Sequence, residues 1–231
     1  MLKTFIEQTQ KKLQQKQTDF YTADGLHVYF KEPLYSELDV ERVVSKVEGI
    51  VPRHLREEVE MIIIGWFDEF EKRSINAFYK DGALYISNVQ DNEADMYDDI
   101  IHEIAHSLES KYGYEIYGDQ KIKEEFLRKR KHLHDVLWAS GFKAPQSLFM
   151  DSEYDQEFDD FLHKTVGYEQ LSELIQGMFI TPYAATSIEE YYATGFTEFY
   201  LDSNHNFLKK VSPQLYNKLF MLQNPEKLDN A

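Results

Sequence analysis

Three consecutive isoleucines, Ile62-Ile63-Ile64, sit inside an apolar run from Met61 to Phe67, within a strand expected over Val59 to Phe67. A strand turns successive side chains to opposite faces, so an unbroken β-branched run suits a strand covered on both sides. Helices must supply that cover, which predicts an α+β domain with a small mixed sheet. The run is too short to cross a bilayer, which takes about 20 apolar residues. Other strands are legible around it. Leu26 to Phe30 is rich in strand formers, and Asn76 to Lys80 and Ala83 to Ser87 flank Asp81-Gly82, a two-residue hairpin signal. Between them, Ser36 stands three residues before Asp39 as an N-cap would. Leu38, Val40, Val43, Val44 and Val47 then form a helical apolar face that Gly49 ends. A polar helical turn is expected after Pro52.

The 231 residues are read as one domain in four stretches. A weakly amphipathic helix over Leu2 to Phe20 fills most of residues 1–25. Sheet and a central helix occupy 26–112. A charged helical insertion covers 113–180, and two further helices lie in 181–231. The helices of the second half are predicted at Lys121 to Ser140, Asp151 to Leu162, Glu169 to Phe179, Thr186 to Leu201 and from Pro213 to Leu222.

The chemistry is concentrated in the helix predicted over Asp95 to Lys111. Ile100, Ile101, Ile104, Ala105 and Leu108 form its apolar side, and His102-Glu103-Ile104-Ala105-His106 lies across it. Histidines at i and i+4 project from one side of a helix, one turn apart, so their imidazoles can converge on one zinc ion. Glu103 points to a neighbouring sector, where its carboxylate reaches a water activated by the metal rather than the metal itself. This is the HExxH arrangement of zinc peptidases.

Two histidines need a third protein ligand. Glu125 follows His106 with eighteen residues between, the interval used by one aminopeptidase-like class of such enzymes. Glu124 and Glu125 also stand four residues before Arg128 and Lys129, the spacing of surface ion pairs. Glu190 is the alternative, at the start of a helix carrying Tyr191, Tyr192, Phe196 and Phe199. Ser187 with Glu190, or Thr186 with Glu189, would make an N-terminal capping box, and the second choice leaves Glu190 to face inward.

HEIAH, together with a tyrosine seven residues before a Glu-aromatic-aromatic-Ala-x-small-Phe helix, resembles the anthrax lethal factor-type zinc metallopeptidases, which include the Pro-Pro endopeptidases. The likeness extends over about Leu26 to Leu201 and is specific at the two motifs and the hairpin. It implies a zincin-like fold in which His102, His106 and Glu190 bind one Zn2+ per chain, Glu103 is the general base, and Tyr183 donates to the oxyanion. It also implies an edge strand against which a peptide or protein substrate lies extended, here assigned to Ala83, Leu84, Tyr85, Ile86 and Ser87. The stretch between His106 and Glu190 is longer than is usual in that family, and Thr194 stands where lethal factor has a second glutamate.

Composition narrows the partners. Asp and Glu total 41 against 25 Lys and Arg, a formal net charge of -16, which disfavours nucleic acid and anionic membrane. The absence of cysteine excludes disulfides, thiolate metal sites and cysteine nucleophiles. Glu7 and a Gln/Lys run stand where a signal peptide needs an apolar core, so a cytoplasmic protein is expected, although relatives of the resembled family are typically secreted. A zincin-like scaffold that binds without cleaving is the competing reading. Glu103 argues against it, because a purely structural site needs no base beside its first histidine.

Overall fold

The computed structural model describes residues 18–73, 75–224 and 226. It is a mixed α+β structure that divides into two compact units, Met1–Ser107 and Leu108–Ala231.

Among the described residues, the first unit holds five strands and three α-helices, with a short 3-10 turn at Arg53–Leu55 after Pro52. They are β1 (Asp19–Tyr21), β2 (His27–Phe30), α1 (Val40–Ile50), β3 (Met61–Gly65), α2 (Asp68–Arg73), β4 (Ala77–Lys80), β5 (Ala83–Ser87) and the first part of α3 (Glu93–Tyr117). The sheet order is β1-β2-β3-β5-β4, with β3 parallel to both β2 and β5 and the two outer pairs antiparallel. The isoleucine run is thus the central strand. Its two faces differ: Ile62 and Ile64 are fully buried, while Met61 and Ile63 are half-buried. Leu84 and Ile86 of β5 share the buried face, and Val44, Val47, Ile62, Leu84, Ile100 and Ile104 line one cavity beneath it. Each fully buried Ile or Leu here contributes about 1.5–3 kcal/mol. The opposite face carries rings instead, with Phe78 stacked on Tyr85 at 4.5 Å and Phe67 edge-on to Tyr85 at 5.0 Å.

Three expectations are corrected in this unit. Of the helix predicted over Leu2 to Phe20, residues 1–17 lie outside the described residues, and Asp19–Tyr21 is a strand paired with β2. Ser36 does not cap α1. Its hydroxyl donates to the Gln90 carbonyl, whereas the Asp39 side chain accepts from Arg42 N–H, and the helix runs through Gly49 to Ile50. Most consequentially, Ala83, Leu84, Tyr85, Ile86 and Ser87 do not form an edge. They pair with β3 on one side and β4 on the other, so the outer strand of the hairpin is β4. The hairpin turn itself is as predicted, with Asp81 at φ 50° and Gly82 at φ 81°, both positive as a type I′ turn requires.

The second unit is helical: the end of α3, then α4 (Lys121–Ala139), α5 (Gln146–Phe149), α6 (Gln156–Asp160), α7 (Tyr168–Leu174), α8 (Ile188–Leu201), α9 (Asn206–Val211) and α10 (Pro213–Leu222). Helix α8 is its core. Tyr191, Tyr192, Ala193 and Phe196 are fully buried, and a Cβ at Gly195 would stand 2.2 Å from Leu215 Cδ2, so only glycine lets α10 approach this closely. Among the described residues no helix is long and apolar enough to cross a membrane.

Candidate metal centre

Helix α3 runs without a break from Glu93 to Tyr117, well beyond the predicted Asp95 to Lys111. Asn92 starts it, its side-chain oxygen accepting from Ala94 N–H at 2.8 Å and Asp95 N–H at 3.1 Å. Ile100, Ile101, Ile104, Ala105 and Leu108 are all buried, as their spacing predicts, which fixes the rotation of the helix about its axis. That rotation leaves His102 and His106 half-buried with ring centroids 5.1 Å apart.

Glu103, between them, is buried. Its Oε2 accepts from the backbone N–H of Tyr79 at 2.8 Å. The position of Tyr79 explains this bond. Ser87 N–H donates to the Asn76 carbonyl, and antiparallel pairs alternate, so Phe78 and Lys80 turn their backbone groups toward β5 and Tyr79 turns its own to the outer edge. Nothing in the sequence signals this contact, because any residue supplies an amide. One turn before His102, Asp99 accepts from Gln90 Nε2 at 3.1 Å, and burial pushes its carboxyl up to about 6.

In the second unit, Ser187 caps α8, its hydroxyl accepting from Glu190 N–H at 3.2 Å. Of the two capping choices open in the sequence, the structure takes Ser187. The Glu190 carboxylate nonetheless has another partner: Tyr183 donates its hydroxyl to Oε1 at 3.2 Å. Burial, and then the charge of Glu190, pushes the Tyr183 phenol well above its ordinary value, so it remains a proton-bearing donor. A second phenol–carboxylate pair lies nearby, Tyr168 donating to Asp159 at 3.2 Å, with Tyr154 on the other Asp159 oxygen.

His102 and His106 belong to the first unit and Glu190 to the second. Two imidazoles and a carboxylate are an ordinary donor set for zinc. Glu125 is 1% exposed on α4, where Oε1 accepts from the Tyr191 hydroxyl at 2.9 Å and from Leu215 N–H at 3.3 Å. Its Oε2 accepts from Gln214 N–H at 2.9 Å. Lys129 Nζ donates to Tyr191 Oη and Ser212 Oγ, both at 2.7 Å. Both sequence readings of Glu125 are therefore corrected: it is neither a ligand nor a solvated surface residue, but an anion buried at the N-terminus of α10. His132 is exposed, and His134 packs on Phe149 at 5.1 Å.

Comparison with known proteins adds nothing to this geometry: no family model matches the chain, and no curated protein or solved structure matches it.

Proposed function

We propose that the protein is a zinc-dependent endopeptidase with a zincin-like architecture of the lethal factor type. In this reading His102, His106 and Glu190 hold one zinc ion, Glu103 is the general base, and Tyr183 donates a hydrogen bond to the developing oxyanion. The observation that carries it is local to α3: two imidazoles one turn apart, with a buried carboxylate on the residue after the first, one oxygen of which accepts from a backbone amide. The half-buried state of the Glu190 carboxylate, which accepts from the Tyr183 phenol, supports Glu190 as the third ligand.

Zinc held there would supply Lewis acidity, bringing the pKa of a water to about 7 and polarising the scissile carbonyl. The residues of the chain do the rest. Glu103 takes a proton from the attacking water and passes it to the departing amine. The Tyr79 amide holds its carboxylate in one orientation, so little reorganisation is needed when the proton moves. Tyr183 keeps its proton and offers it as a hydrogen bond, which assists only if the bond strengthens as the carbonyl oxygen becomes negative. The substrate backbone is assigned to the outer edge of β4 (Ala77–Lys80) in place of β5, since β5 is paired on both sides and an extended peptide adds only to an edge strand.

Incubation of the zinc-loaded protein with a diverse peptide library tests the proposal. Internal cleavage is expected, and Glu103→Ala should lower it by roughly 10²–10⁴-fold while leaving zinc bound. Zinc binding with no cleavage of any peptide would favour a non-catalytic scaffold instead.

A further inference from the structure

Arg130, on α4, is the largest fully buried side chain among the described residues. A buried guanidinium ordinarily meets a carboxylate. This one meets carbonyls. Its Nη1 donates to Ala185 O at 2.9 Å and Thr186 O at 3.0 Å, and its Nη2 donates to Leu148 O at 2.6 Å. The Phe158 ring covers it with its centroid 3.6 Å from Cζ. Burial without a direct counter-ion pulls its pKa down to about 9.

The two carbonyls on Nη1 mark where the clamp acts. Thr186 closes a turn on Tyr183, donating to the Tyr183 carbonyl from its amide at 3.0 Å and from its hydroxyl at 2.8 Å. The next residue, Ser187, caps α8 through Glu190 N–H. Ile188 N–H is tied in turn to Ser152 O at 2.8 Å, just beyond the Leu148 carbonyl that Nη2 holds. Both Tyr183 and Glu190 thus hang from a backbone segment whose middle is held by one planar fork. A lysine supplies the same charge without that fixed pair of directions.

We propose that Arg130 is a positioning residue for the candidate zinc site, setting through the Ala185 and Thr186 carbonyls where the Glu190 carboxylate and the Tyr183 hydroxyl stand. This rests on the reading of Glu190 as a zinc ligand. The test is zinc affinity of the full-length Arg130→Lys protein, together with the visible absorption spectrum of its Co2+ form, which reports the ligand geometry. Zinc affinity is expected to fall by roughly 10–100-fold, as when other groups that orient metal ligands are altered, with a changed cobalt spectrum. Glu125→Gln serves as control, because it loosens the same unit without touching the Tyr183–Glu190 segment. It is expected to lose stability and keep both readouts. Arg130→Lys with parental zinc affinity and an unchanged cobalt spectrum overturns the proposal. If Arg130→Lys does not fold, Phe158→Leu keeps the guanidinium but removes the ring over it. Undiminished zinc affinity there overturns the proposal equally. Glu190→Ala separates the two levels: if it too leaves zinc affinity unchanged, the ligand reading has failed and not merely the clamp.

Discussion

Glu125 and Glu190 lie in the same helical unit, and the sequence offers both as the third ligand of a two-histidine site. Their surroundings are opposite. Glu125 is sealed from solvent, and its two oxygens accept from Tyr191, Gln214 and Leu215. Glu190 stays half-buried and shares one oxygen with the Tyr183 phenol. A buried anion is tolerated when the protein satisfies it completely, and such an anion has nothing left for a metal. The contrast separates a carboxylate that holds helices together from one suited to binding an ion.

The largest expected difference between the two is in stability. Glu125→Ala takes from the buried Lys129 ammonium the charge that offsets its desolvation and strips the first turn of α10 of its acceptor. Leaving a buried charge uncompensated costs about 3–5 kcal/mol, to be read as a lowered urea midpoint. Glu190→Ala in the metal-free protein should move that midpoint far less. Equal losses would erase the distinction.

Next in size is the partner of Glu190. Removing one oxyanion donor costs about 10²–10³ in turnover, so Tyr183→Phe should lower kcat by that order with little change in KM. An effect confined to KM would make Tyr183 a binding group only.

The smallest effect sharpens the Glu125 side. Burial pulls Lys129 down to about 8, against the opposing charge of Glu125. Between about pH 8 and the free-lysine value of about 10.4, the unfolded chain holds a proton that the folded protein lacks. Stability from this group therefore rises with pH across that window, with a limiting slope on the order of 1 kcal/mol per pH unit. Urea midpoints between pH 7 and 10 should show the rise in the parent and a flatter profile in Lys129→Met.

The same contrast shows what a sequence can reveal. The histidine pair and the hairpin are legible because each is encoded within a few residues: an i, i+4 spacing, and an Asp81-Gly82 turn whose backbone angles those residues favour. The role of Glu125 is not legible because its partners lie 66 to 90 residues away, beyond any local pattern. The edge strand is hidden for a related reason. A hairpin fixes that β4 and β5 pair, not which of them adds to β3, and β3 takes β5. The Tyr79 amide and the carbonyls on Arg130 are backbone groups, so no side-chain type announces them.

Zinc titration of the metal-free protein, run in parallel on the parent, Glu190→Ala and Glu125→Gln, bears most directly on the claim that Glu190 completes the site. One equivalent should bind tightly to the parent and to Glu125→Gln, while Glu190→Ala should weaken binding by more than the roughly 100-fold that altering a merely supporting group causes. Tight binding retained in Glu190→Ala but lost in Glu125→Gln would contradict the account.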